Sequence, residues 1–335
     1  MNQNEIQKRG VSVVVLAYNH ETVIEEALLS ILRQQTTFDV QILVCNDAST
    51  DKTALKIQQV EVAFPGRITS VVRARNVGMM QNMALALSEA RCNYIAVCEG
   101  DDYWVDNTKL QQQWNCLELN TELSLCFHPV DVLWPDGRVL ADHLTQVPQK
   151  YETVTDVLEK GNYIHTCSLF FKRPSRPLPP QFVHLSFGDF CLQIWAMMDG
   201  GKAHRLPKTM ATYRLGGNWS GQQKRKRYIQ TCKTYALLMD YLYSEKPHYV
   251  LPMAKRLIQG IEGLNKEERE QLKNELLNHK ATFPQHFAES AWLDIVFNPE
   301  FLVEVLYLDV ALLERRVKAT DVFRVLMRKA NRWLR

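Results

Sequence analysis

The chain has no apolar stretch approaching the ~18 residues needed to cross a bilayer. Its amino end, M-N-Q-N-E-I-Q-K-R-G, lacks the hydrophobic centre of a secretory leader. A membrane-spanning or exported protein is not expected, and a cytoplasmic one is. None of the eight cysteines (Cys45, Cys92, Cys98, Cys116, Cys126, Cys167, Cys191 and Cys232) forms a C-x-x-C pair, and several sit inside apolar runs. A reduced thiol there behaves as a small hydrophobe, so neither disulfides nor a zinc site is expected. No internal repeat or low-complexity tract is present. A basic stripe over the body is also missing. Net charge is +3, but residues 315–335 hold eight Lys or Arg against Asp321, leaving the remainder at −4. Such a body does not suit nucleic acid. What remains is 335 residues with 46% apolar content, room for roughly two packed domains of ~100–200 residues.

Residues 92–104 read C-N-Y-I-A-V-C-E-G-D-D-Y-W, an apolar strand ending in Glu99, Gly100, Asp101 and Asp102. Two adjacent carboxylates at the mouth of a buried strand repel by about 4 kcal/mol at ~4 Å and an effective dielectric of ~20. A hard dication such as Mg2+ or Mn2+ would offset this, because it takes oxygen ligands, uses one or two protein carboxylates and completes its shell with water and substrate phosphates. The plain alternative is an acidic turn facing water.

Residues 11–17 (V-S-V-V-V-L-A) form a β-branched run, the pattern of a strand covered on both faces in a parallel sheet. Residues 22–34 then carry Ile24, Leu28, Ile31 and Leu32 at helical spacing, with Thr22 and Glu25 placed as a capping box. The alternation continues with strands over 40–45, 69–73 and 94–98 and helices over 53–64 and 76–90. It predicts βαβ units and a mostly parallel, doubly wound α/β sheet. Ligands bind beyond the carboxyl ends of strands in such sheets. Those ends carry Tyr18-Asn19, Asn46-Asp47, Arg75-Asn76 and the acidic quartet, four polar clusters on one edge.

Downstream, a helix is expected over 109–119, strands over 123–132 and 166–172, and a hairpin at Pro135, Asp136 and Gly137. The proline-rich 174–180 predicts an extended connector. Gly188-Asp189 opens a helix over 190–198, and Gly200-Gly201 closes it. Beyond Gly221 comes a strongly basic 222–227, then helical patterns to the end.

Taken together, V-S-V-V-V-L-A-Y-N, N-D-A-S-T-D, R-N-V-G-M-M-Q-N, Y-I-A-V-C-E-G-D-D-Y-W, the later G-D-F and Y-R-L-G-G-N-W-S resemble the family 2 glycosyltransferases of bacterial polysaccharide synthesis, which have the GT-A fold. The resemblance covers about residues 11–221. It implies a GT-A domain over 1–222, with a nucleotide-binding half to about 105 and an acceptor half over 106–222, followed by a helical region over 223–335. It places Ala17, Tyr18, Asn19 and Asp47 at the base and ribose of a nucleotide sugar, a UDP-sugar by family habit. Asp47 can accept the imide proton of uracil; capping the helix after Ser49 is the other reading. Asn76 and Gly78 match the next nucleotide cluster, where glycine permits close approach to a ligand, while Asn82 reads as a solvent-facing helix residue. Asp101 matches the metal ligand, Mg2+ or Mn2+, and lies against the diphosphate. Glu99 and Asp102 fall at the sugar, Glu99 replacing the more frequent Asp.

For chemistry, the resemblance implies that Asp189 is the catalytic base, deprotonating a hydroxyl of a saccharide or lipid-linked acceptor in a single, inverting displacement; capping its own helix is the alternative. The helix dipole would lower its pKa, so a desolvated acceptor would have to counter that. Residues 213–220 resemble the family's closing loop. Trp219 there falls at the sugar and Arg214 at phosphate, with residues 224–227 as further phosphate cations. Leu215 and Gly216 stand where many relatives carry a histidine. His128, His165 and His204 have no metal-ligand spacing.

If helical, residues 320–335 place Val322, Phe323, Leu326, Met327, Ala330, Trp333 and Leu334 on one side and Arg324, Arg328, Arg332 and Arg335 on the other. This basic face suits either peripheral contact with an anionic inner membrane, at about 1 kcal/mol per cation, or solvent above a helix docked on the protein's own core. Two other classes compete with the transferase. A sugar-phosphate nucleotidyltransferase would show a Gly-rich phosphate loop after its first strand, and residues 11–20 contain none. A non-catalytic sugar-nucleotide or glycan-binding module would keep the acidic motif without turnover. Sequence leaves the oligomeric state open.

Overall fold

The structure is a computed structural model that describes residues 8–143, 151–216 and 221–283. Its first half alternates β1 (Lys8–Ala17), α1 (Ile24–Leu32), β2 (Asp39–Asn46), α2 (Thr53–Ala63), β3 (Ile68–Val72), α3 (Met79–Glu89) and β4 (Cys92–Glu99). The apolar run of β1 is central: Val11, Val13, Val14 and Val15 have no exposed surface. β1 pairs in parallel with both β2 and β4, and β2 with β3. Covered on both faces, these strands need no polar alternation. All eight cysteines are free thiols, most of them buried as packing.

Register decides where the strands end. Val14 aligns with Leu43 on one side and Val97 on the other, so Leu16 lies beside Glu99 and Ala17 beside Asn46. The carboxyl ends therefore reach one rim. The capping box expected at Thr22 and Glu25 does not form. Helix α1 begins at Ile24 after Val23, with no side-chain cap. The His20 carbonyl instead accepts the N–H groups of Val23 and Ile24 at 3.0 and 2.9 Å, which turns the chain sharply out of β1.

Next follow β5 (Tyr103–Trp104), α4 (Lys109–Leu119), β6 (Leu123–Phe127), β7 (Val130–Leu133), β8 (Val139–Ala141), β9 (Tyr151–Glu152), α5 (Val154–Lys160), β10 (Phe170–Lys172), α6 (Asp189–Met197), β11 (Lys202–Arg205) and β12 (Ala211–Arg214). Among the described residues the main sheet has the order β3-β2-β1-β4-β10-β6-β11-β9, and a smaller one the order β5-β12-β7-β8. The strand expected over 123–132 is two strands in different sheets. They part at His128-Pro129, where proline has no N–H for a ladder and the His128 ring bonds the Pro129 carbonyl at 2.8 Å. Likewise 166–172 opens with a 3-10 turn at Thr166–Ser168, and only Phe170–Lys172 pairs. The hairpin at Pro135 to Gly137 joins β7 to β8, with Gly137 at φ +85°.

The chain divides into two compact units, Met1–Val183 with Gly188–Gly221, and His184–Phe187 with Gln222–Arg335. In the second, α7 (Lys224–Glu245), α8 (Val250–Glu262) and α9 (Lys266–Thr282) follow in order. A capping box of Asn265 and Glu268 starts α9. Arg225, from the basic 222–227, is tied to Glu268 and to the Gly263 carbonyl at 3.0 Å, so this cation is already engaged. Trp219 and the helix expected over 320–335 lie outside the described residues. Among the described residues no helix is long and apolar enough to cross a membrane.

Candidate active site

The rim is stitched together before any ligand is considered. Asn19, at φ +56°, receives on its amide oxygen the Thr50 N–H at 2.9 Å, and its own N–H goes to the Ser49 hydroxyl at 3.0 Å. The loop after β1 is thereby tied to the loop after β2. The Asp47 N–H continues that seam to the Ala17 carbonyl at 2.9 Å. Tyr18 is half-buried beside it.

Asp47 does not cap a helix. α2 starts after Lys52 without a side-chain cap, whereas the two Asp47 oxygens accept the Val77 and Gly78 N–H groups at 2.8 and 2.9 Å. It ties down the loop after β3 and is 3% exposed, although each oxygen keeps a second lone pair. Gly78 sits at φ +87°, and apart from its own chain neighbours no atom of the described residues lies within 4 Å of where a Cβ would stand. A left-handed backbone with open space above it is the reason for glycine here. Asn76 is exposed, its amide oxygen accepting the Gly78 N–H at 3.0 Å. Asn82 is the reverse of solvent-facing: it is 1% exposed, donates to the Cys45 carbonyl at 2.9 Å and accepts from Arg73 at 2.8 Å. Helix α3 turns this face inward onto the sheet.

At the end of β4 the acidic quartet turns tightly, with the Gly100 N–H on the Leu16 carbonyl at 2.8 Å. Asp102 points inward, 1% exposed. One of its oxygens accepts the Arg214 N–H at 2.8 Å, and the Cys167 thiol lies against its carboxyl. Expected at the sugar, Asp102 instead joins the turn to β12. Arg214 reinforces this. Its guanidinium donates to the Asp101 carbonyl at 2.9 Å and to Glu26 at 2.8 Å, so part of the fork expected to meet phosphate braces the acidic turn. Glu99 and Asp101 are half-buried. Burial, then the charges of Asp101, Asp102 and Asp189, push the Glu99 carboxyl well above the usual range. Burial and Asp101 do the same for Asp102, against the pull of the Arg214 N–H and the Cys167 thiol.

Asp189 reaches the same neighbourhood from another element. It is the first residue of α6, after Gly188. One oxygen takes the Phe190 N–H at 2.9 Å and the other the Asn162 amide at 2.8 Å. A helix start alone would lower this carboxyl's pKa, but burial raises it, and Asn162, the Phe190 N–H and the His165 charge only partly pull it back. No acceptor is needed for that desolvation. Sequence reasoning missed Asn162, since one Asn in a loop carries no periodic signal. It saw His165 without a task; the ring bonds Asp142 at 3.0 Å and packs on Tyr213 at 4.7 Å. His20 was missed too. Its Nδ1 is buried without a hydrogen-bond partner among the described residues, and burial lowers its pKa against the charges of Asp101 and Asp51.

The donor set fits a hard dication shared with a substrate. Among the described residues no hydrogen bond holds the Asp101 carboxylate, which stands between two further acids. Nor is there, among them, a group of three or more His, Cys, Asp or Glu able to cage a metal alone. One or two carboxylates with phosphate and water completing the shell is the arrangement such ions accept.

Gly100 fixes the turn sterically. A Cβ there would fall 2.9 Å from the Leu16 carbonyl oxygen and 2.8 Å from both His20 Nδ1 and Ile24 Cδ1. Backbone in a central strand cannot yield cheaply. Gly100→Ala is expected to lose about 1–3 kcal/mol of stability, read as a lower denaturant midpoint, and an unchanged midpoint would contradict the packing described.

Residues 12–178 match the family described as Glycosyl transferase family 2. With the α/β sheet this defines the class by fold and family: the architecture is GT-A, and the matched segment carries the family 2 glycosyltransferase pattern. The chain belongs to the family 2 glycosyltransferases. It is similar to the uncharacterized protein Rv1520 of Mycobacterium tuberculosis, 34% identical over 226 residues, 66% of this chain and 64% of that protein. It thus spans less than two thirds of the length of that relative. It is also similar to UDP-Glc:alpha-D-GlcNAc-diphosphoundecaprenol beta-1,3-glucosyltransferase WfaP of Escherichia coli, 33% identical over 108 residues, 32% of this chain and 41% of that protein. A crystal structure of S. aureus TarS 1-349 in complex with UDP-GlcNAc shares the fold at TM-score 0.61 and 14% identity, covering 96% of this chain and 92% of that one.

Proposed function

We propose that this chain transfers a sugar from a nucleoside-diphosphate donor, a UDP-sugar, to a hydroxyl of a saccharide or lipid-linked acceptor, with inversion, in the building of a bacterial surface polysaccharide. The observation that carries the reading is the placement of Asp101 and Asp189. They come from a strand end and a helix start 88 residues apart in sequence, yet both charges act on the same Glu99 carboxyl. The name of the E. coli relative supports a UDP-sugar donor and a lipid-diphosphate-linked acceptor. Residues 1–222 would form the transferase domain, and 223–335 would follow it in sequence as a separate helical region.

In this reading Asp189 accepts the acceptor's hydroxyl proton while the oxygen attacks the anomeric carbon. The bond from that carbon to the β-phosphate oxygen breaks in the same displacement, and UDP leaves with the electron pair. One base and no protein nucleophile give inversion. Mg2+ or Mn2+, held by Asp101, would supply charge neutralisation on the departing diphosphate. Asn19, the Asn76 loop and the open face of Gly78 form the rim along which the nucleotide would lie, and Glu99 faces the sugar.

A thermal-shift panel tests the donor. UDP with Mn2+ is expected to stabilise the protein more than GDP, dTDP or UDP with a chelator, by about 2.7 kcal/mol at a hundredfold excess over its dissociation constant. Equal responses to all three nucleotides would remove the case for UDP.

A further inference from the structure

Asp189 is held by a directed pair of amides, one from its own helix and one from outside it. The buried member is Gln193, one turn along α6 and with no exposed surface. Its Nε2 donates to the Asn162 Oδ1 at 2.9 Å and lies 3.4 Å from the Ile164 carbonyl. Asn162 then donates through Nδ2 to Asp189 at 2.8 Å.

The polarity of this chain is forced. A backbone carbonyl can only accept, so the NH2 of Gln193 must face Ile164. That same NH2 meets the oxygen of Asn162, which leaves the Asn162 NH2 directed at the carboxylate. Flipping Gln193 would set oxygen against two oxygens in a buried site. In its present orientation the Gln193 Oε1 is buried without a partner among the described residues, which leaves its desolvation uncompensated. Packing alone would be served as well by an apolar side chain of similar length.

Resting on the reading of Asp189 as base, we propose that Asn162, oriented by Gln193, is the positioning residue of that base, fixing one carboxylate oxygen and leaving the outer lone pairs for the acceptor hydroxyl. A hydrogen bond to the charged form favours that form. It works against burial, which raises Asp189. The other charged or titratable groups acting on this carboxyl are His165, whose charge lowers it, Glu99 from the end of β4, and the Cys191 thiol on α6. Asn162 differs from these in having a direct bond and no charge of its own, so it biases the base without titrating.

The test titrates the full-length chain, labelled with carbon-13 aspartate. The Asp189 signal is identified by its loss in Asp189→Asn, and UDP release from UDP-glucose and UDP-N-acetylglucosamine in Mn2+ is followed against pH in parallel. Asn162 is exposed, so Asn162→Ala leaves the core intact, and Asn162→Asp is isosteric. Asn162→Ala is expected to raise the Asp189 midpoint by about one pH unit and Asn162→Asp by more. The acid limb of UDP release should move with them, turnover at a fixed pH on that limb falling about tenfold for a shift of one unit. Gln193→Met should shift both the same way by less. A merely structural role would lower turnover equally at every pH. If Asp189→Asn is inactive while both Asn162 variants keep the wild-type titration and pH profile, the positioning role falls alone. If Asp189→Asn releases UDP as the wild type does, the base falls, and the positioning role with it.

Discussion

Replacing Asp189 with Asn is expected to lower sugar transfer about 100- to 10,000-fold, the range a positioned general base supplies, while leaving nucleotide binding intact. The amide preserves shape but cannot take the acceptor's proton. Among the described residues its oxygens accept from Asn162 and the Phe190 N–H, and no bond there links it to the loops after β1, β2 or β3. UDP-dependent stabilisation in Mn2+ should therefore match the wild type. Equal loss of binding and turnover would instead identify Asp189 as part of the donor site.

Asp101→Asn should do the opposite. An amide oxygen is a far poorer partner for a dication than a carboxylate, so Mn2+-dependent stabilisation by UDP should disappear and turnover fall about 100- to 1,000-fold, the scale of one strong electrostatic contact in the transition state. Structure outside the site should survive. The turn is held by the Asp101 carbonyl, the Asp102 carboxylate and the Gly100 N–H, none of which the substitution touches. Retention of Mn2+-dependent binding would place the dication elsewhere.

The two variants separate functions that meet at Glu99. In the proposed mechanism Asp101 would act from the end of β4 on the leaving side and Asp189 from the start of α6 on the acceptor side. Burial and both of those charges push the Glu99 carboxyl upward, and in the proposed mechanism it would lie between donor and acceptor.

Much of the first half was legible in sequence. Helices α2 and α4 fall within a residue of where apolar periodicity put them, and β1 ends where expected while starting three residues earlier, because a strand covered on both faces and a helix with one wet face leave distinct periods. Boundaries set by polar loops were less so. The box at Thr22 and Glu25 gave way to a backbone turn on the His20 carbonyl, and the apolar run over 123–132 hid a change of sheet at a proline. For the site, the residue types were visible but not their partners. Asp47 bonding the Gly78 loop, Arg214 bracing the acidic turn and Asn162 on Asp189 join residues 27 to 113 positions apart, and no local pattern encodes such pairs.

Sequence by itself determined that a parallel sheet would gather its polar ends on one rim, since buried β-branched strands can only end where their loops reach water. The tertiary structure decided which of those polar groups face outward and which are consumed in holding the rim together. A carboxylate's chemistry follows from its neighbours and its burial, and both come from chain segments that meet only when the protein is folded.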